Sequence, residues 1–111
     1  MRTDRELLEL AAKAAGIGGS WDWLRGESKP CCYRGSDGRI WSPLTDDGDA
    51  LRVAVRLGIC IKFIPSCDTV QVYQEREFTA EPFNGHADDL CDMGTRRAIV
   101  RAAAEIGARM P

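Results

Sequence analysis

Residues 59–74, Ile-Cys-Ile-Lys-Phe-Ile-Pro-Ser-Cys-Asp-Thr-Val-Gln-Val-Tyr-Gln, decide the fold class. Ile59 to Ile64 is β-branched or apolar apart from Lys62, and Thr69 to Gln74 alternates Val70, Val72 and Gln74 against Thr69, Gln71 and Tyr73. A period of two marks a strand that buries one face. Pro65, Ser66, Cys67 and Asp68 are turn formers between the two runs, so the stretch predicts an antiparallel hairpin.

Immediately upstream the period changes to that of a helix, from Asp46 or Asp47 to Leu57. Thr45, Asp46, Asp47 and Asp49 gather at its start, where side-chain oxygens cap free backbone N–H groups and negative charge meets the positive end of the helix dipole. Ala50, Leu51, Ala54, Val55 and Leu57 are expected to form its buried face, Arg52 and Arg56 its solvated one, and Gly58 its end. Further upstream, Arg39 to Ser42 reads as a short strand limited by Pro43, and Ser20 to Leu24 as another, with Trp21 and Trp23 on one side. Arg25 to Arg34 reads as an irregular or hairpin loop, followed by the turn residues Gly35, Ser36, Asp37 and Gly38. At the N-terminus Thr3 and Glu6 fit a capping box. Leu7, Leu8, Ala11, Ala14 and Ala15 follow as an apolar stripe, and Gly16 is the expected stop.

Downstream, Arg76 to Ala80 reads as a further short strand closed by Pro82. Between Glu75 and Asp92 six acidic residues, Glu75, Glu77, Glu81, Asp88, Asp89 and Asp92, stand against Arg76 alone. With the turn pair Asn84-Gly85, Glu81 to Asp92 is expected to be an acidic loop, with a helical turn at Ala87 to Cys91. The last helix is expected from Thr95 to Arg109, with Ala98, Ile99, Ala102, Ala103, Ile106 and Met110 inward and Arg97, Arg101 and Arg109 outward. The order of elements predicts an α+β fold, an antiparallel sheet of about four or five strands packed with three helices, as a single domain over residues 1–111.

Composition narrows the function classes. The 111 residues are 44% hydrophobic and 29% charged, which is globular rather than disordered. No apolar run reaches the roughly 18 residues of a membrane span, and Met1 to Glu9 mixes charges where a secretory signal would not, so neither membrane nor export is expected. A net charge of -2 argues against a generic nucleic-acid coat. The cysteines, Cys31, Cys32, Cys60, Cys67 and Cys91, are odd in number and lack CxxC spacing, so reduced thiols are expected.

Three blocks, Thr3 to Ile17 (TDRELLELAAKAAGI), Trp41 to Ile59 (WSPLTDDGDALRVAVRLGI) and Thr95 to Met110 (TRRAIVRAAAEIGARM), resemble the phage α-β-α-sandwich domain family, small proteins of tailed bacteriophages and prophages. The resemblance covers about half of the chain. It implies an α/β sandwich, residence in the cytoplasm of a host bacterium and no established enzymatic activity, and it supplies no catalytic residue.

The candidate sites lie partly outside those blocks and partly, at Asp46 to Asp49 and Arg96 to Arg101, within them. His86 and Cys91, with nearby carboxylates, could form part of a metal site or a minor enzyme, but His-x-Asp-Asp-x-Cys has no recognised ligand spacing. Asp46, Asp47 and Asp49 lack the glutamate that closes a calcium loop, since Leu57 stands at that position. Cys31-Cys32 has Arg34 nearby, which favours a thiolate, but only His86 as a base. Arg96, Arg97 and Arg101 could meet phosphates, or the acidic stretch folding back. Trp21, Trp23, Trp41 and Tyr33 are either core or contact surface, since aromatics anchor interfaces. The favoured expectation is a non-enzymatic protein-binding role, with no cofactor, no metal and self-association open. Its candidate surface is Trp21, Trp23, Tyr33, Glu81, Asp88, Asp89 and Asp92.

Overall fold

The computed structural model describes residues 2–22, 32–74 and 83–111. Its elements in chain order are α1 (Asp4–Ala15), β1 (Gly19–Asp22), β2 (Cys32–Gly35), β3 (Ile40–Trp41), α2 (Asp47–Leu57), β4 (Ile59–Ile64), a 3-10 turn (Pro65–Cys67), β5 (Thr69–Gln74), β6 (Phe83–Asp89) and α3 (Asp92–Arg109). The fold is α+β with three helices, as expected. Among the described residues the strands form not one sheet but two antiparallel sheets of three, ordered β1-β2-β3 and β4-β5-β6.

The helix boundaries follow from their caps. Thr3 Oγ1 accepts from the Glu6 N–H, Asp46 Oδ2 accepts from the Asp49 N–H, and Gly16 and Gly58 close the helices in the left-handed conformation at φ 70° and 65°. The β4–β5 hairpin has the expected pairing, with Ile61 opposite Val72 and Phe63 opposite Val70. The predicted turn there is a 3-10 turn closed by Asp68.

Three segments depart from expectation. Within the predicted Arg25 to Arg34 loop, Cys32–Gly35 is a strand that pairs with both β1 and β3, so Arg39 to Ser42 does not return directly onto β1. A four-residue strand containing Arg34 and Gly35 has too little alternation to be heard. Within the predicted acidic loop, Phe83–Asp89 is β6, and there is no helical turn at Ala87 to Cys91. β6 places His86 opposite Val72 and Asp88 opposite Val70, so its polar residues occupy the face that β5 fills with valine. Third, α3 begins at Asp92, a turn before Thr95, with Cys91 Sγ accepting from the Gly94 N–H. The predicted Arg76 to Ala80 strand lies outside the described residues.

The core explains the layering. Val70 and Val72 are fully buried while Gln71, between them, is exposed, so the helices cover one face of the second sheet. Lys62, Gln71, Ala87 and Asp89 stand exposed on the other. α3 is buried on several flanks, through Ala98, Ile99, Val100, Ala102, Ala103 and Ala104, because it packs against α1, α2 and the sheet together. Met110, expected inward, is exposed. Leu51 and Val55, also expected inward, are 57% and 74% exposed, and Val53 takes the buried position instead. At 100° per residue Leu51 and Val55 lie roughly 100° and 140° around α2 from Ala50, on the flank opposite Val53. Among the described residues, no helix is long and apolar enough to cross a membrane.

Candidate functional site

The aromatic residues form a cross-strand row. Trp21 pairs with Tyr33 and Tyr33 with Trp41, so the three rings share one face of the first sheet. Their centroids are 5.5 Å and 5.6 Å apart in edge-to-face contact, the geometry preferred by the ring quadrupoles. Helix α1 closes over the end of the row. Trp21 Nε1–H donates to the Glu9 carboxylate at 2.8 Å, and the Arg5 guanidinium lies 4.4 Å from the Trp21 ring centre. Tyr33 and Trp41 are buried, and the Tyr33 hydroxyl donates to the Ile17 carbonyl. The row is therefore mainly core: Tyr33 turns its ring inward and Trp21 is half-buried. Trp23 lies outside the described residues.

Of the acidic candidates, Glu81 lies outside the described residues. Asp88 faces inward on β6 and pairs with Arg101 at 3.4 Å, leaving Asp89 and Asp92 as exposed carboxylates at the β6–α3 junction. Arg101 thus meets the acidic stretch, while its two neighbours meet helix starts. Arg97 pairs with Asp4 at 3.1 Å, and Arg96 with Asp47 at 2.6 Å and with the Leu44 carbonyl. Each guanidinium on this half of α3 therefore has a partner within the fold. Asp47 and Asp4 occupy the first turns of α2 and α1, where a carboxylate is already favoured by the dipole.

His86 lines a small cavity of about 380 Å³ with Arg2, Asp4, Arg97, Arg101 and Glu105. Burial pushes its imidazole below the ordinary value near 6.5; Glu105 pulls the other way, and Arg101 and Arg2 add to the lowering. Because the unfolded chain takes up this proton at a higher pH than the folded one, stability present above pH 6.5 is lost as pH falls below it. A His86→Gln variant is expected to flatten the urea-midpoint profile just below neutrality, above the carboxylate range. An unchanged slope would show that His86 is not desolvated. Cys91 does not line that cavity, and its sulfur is taken up in capping α3. Among the described residues no three His, Cys, Asp or Glu side chains gather closely enough to hold a metal. Cys31 lies outside the described residues, Cys32 is buried with its thiol donating to the Asp22 carbonyl, and Cys32, Cys60, Cys67 and Cys91 are free thiols.

Two features were not legible in the residues. The first is a cleft of about 700 Å³ between the end of α1, the Gly35–Gly38 turn, β3 and α2. Arg39, Arg52 and Arg56 line it, as do Asp37, Asp46 and Asp49. These carboxylates are committed to the fold: Asp37 accepts from the Arg39 N–H, Asp46 caps α2, and Asp49 accepts from the Ser42 N–H and from Arg52. The second is the rim of the second sheet. Among the described residues β4 is an edge strand, and Phe63 shares the helix-facing side with Val70, yet is 57% exposed. A helix covers Val70 but does not reach Phe63. An apolar edge strand of this length is a template for another chain, because alternate N–H and C=O groups point away from the sheet.

No family model, curated protein or solved structure matches the chain.

Proposed function

We propose that the chain is a small non-enzymatic accessory protein of the phage or prophage type, working in the host cytoplasm by binding protein. Its phage character rests on the three sequence blocks quoted above. The observation that carries the binding role is the edge of β4, unpaired among the described residues, with the exposed Phe63 beside it. A strand added there gains main-chain hydrogen bonds along the edge and apolar contact at Phe63, the arrangement by which sheet edges take up extended segments. The acidic pair Asp89 and Asp92 is a secondary contact at most, since Asp88 is engaged by Arg101.

Site-specific photo-crosslinking tests this reading. A photoreactive residue at Phe63, in the protein expressed in its bacterial host, is expected to give a discrete protein adduct, and one at the exposed Asp37 is not. Absence of any adduct at Phe63 would overturn the assignment of the β4 edge.

A further inference from the structure

The β4 edge is self-complementary. Its six residues, Ile59–Ile64, pair with β5 on one side and with no described strand on the other. Ile59, Ile61 and Phe63 point to the helix-covered face, since Ile61 and Phe63 stand opposite the buried Val72 and Val70, and Cys60 and Lys62 point to the open face. In an antiparallel pair, residues directly opposite share a face. A twofold axis perpendicular to the sheet must therefore pass through a residue of β4, and few positions are available.

An axis at Lys62 sets two ammonium groups against each other and places Pro65, which has no N–H, opposite Ile59. An axis at Cys60 sets Phe63 against Leu57, which is already inside α2. At Phe63 the axis carries the pairing into the Pro65–Cys67 turn. An axis at Ile61 pairs Ile59 to Phe63 among themselves, leaves Ile64 opposite Gly58, and brings neither a proline nor a like charge into the pairing. It puts Ile59 opposite Phe63, so the exposed ring is covered from the other copy, and sets Cys60 opposite Lys62 with no charge facing its like.

We propose that β4 pairs antiparallel with β4 of a second copy of this chain, centred on Ile61, joining the two second sheets into one. The proposal rests on the protein-binding reading and names its partner. Both faces of the seam are specified: Ile59, Ile61 and Phe63 on the helix-facing side, Cys60 against Lys62 on the open side.

The charge pattern gives the test, read by sedimentation equilibrium over a concentration series. The unaltered protein is expected to dimerise. Cys60→Lys places two like-charged pairs at the seam and is expected to weaken the dimer by about tenfold, whereas Cys60→Glu creates two opposite pairs and tightens it by about fivefold. Thermal unfolding of the diluted variants checks that each is folded. A second measurement needs no variant. Amide exchange should show Cys60 to Phe63 all protected in the concentrated protein, with alternate amides losing protection on dilution. A monomer at every concentration, or equal effects of the two Cys60 variants, would overturn the proposal. A Phe63 adduct to a different protein, with a monomeric chain, would overturn self-pairing and uphold the protein-binding reading; no adduct of any kind would overturn both.

Discussion

Replacing Gly107 with alanine lowers the stability of the fold by about 2–3 kcal/mol, although the same change on an exposed helix gains up to about 1 kcal/mol. The sign is set by the crossing of α1 and α3. A Cβ built on Gly107 falls onto the carbonyl group of Leu10, and backbone cannot swing aside as the tip of a long side chain can. The two helices would have to separate. That separation opens the close packing between the buried Ala11, Ala12 and Ala15 of α1 and the residues that share the Gly107 face of α3, Val100, Ala103 and Ala104, all of which are buried. Alanine-lined contacts hold helices together through close approach, and their dispersion attraction falls away over a fraction of an ångström. The measurement is the urea midpoint with the m-value held constant. A more stable Gly107→Ala protein would mean that α1 and α3 do not meet at this distance. Gly94 stands in a similar position beneath the Asp89 carbonyl, where α3 leaves β6.

How much of this was legible in the residues depends on whether each element announced itself by its own period. The caps at Thr3, Asp46, Gly16 and Gly58, and the β4–β5 hairpin, are local chemistry, and local chemistry is readable. β6 was not, because its inward positions are His86 and Asp88. Those residues are tolerated there only because Arg101 and the cavity lined by Arg2 and Glu105 receive them, and such partners lie far along the chain. The flank of α2 failed for the opposite reason. Leu51 and Val55 look like core, but among the described residues no neighbouring element buries that side of the helix. The tryptophan segment divided: Trp41 and Tyr33 are core and Trp21 is partly so, while β2, which brings them together, gave no periodic signal. Of the candidate site, the acidic residues were visible individually but not their pairing, and the exposed edge of β4 required knowing which strand lies outermost.

Trp41→Ala is expected to be the most damaging single change in the first sheet, costing about 3–5 kcal/mol. β3 is only two residues long, so few ladder hydrogen bonds hold it, and the burial of Trp41 beside Tyr33 must do most of that work. Removing the indole leaves a void beside Tyr33 and takes away one of its two edge contacts, each worth about 0.5–1.5 kcal/mol beyond the area buried. It also strips a wall from the arginine-lined cleft, which Trp41 shares with Ile40 and Ser42. Trp41→Phe keeps a ring in the row and should cost distinctly less. Chemical denaturation of the two variants, followed by near-ultraviolet circular dichroism, separates ring loss from general loosening. A cost below about 1 kcal/mol for Trp41→Ala would show that the first sheet is not anchored through this row. The milder Trp41→Phe protein carries a further consequence. No residue of the proposed β4 seam belongs to the first sheet, so this variant should dimerise as the unaltered chain does, and a loss of dimer in step with the loss of stability would place the contact in the first sheet instead.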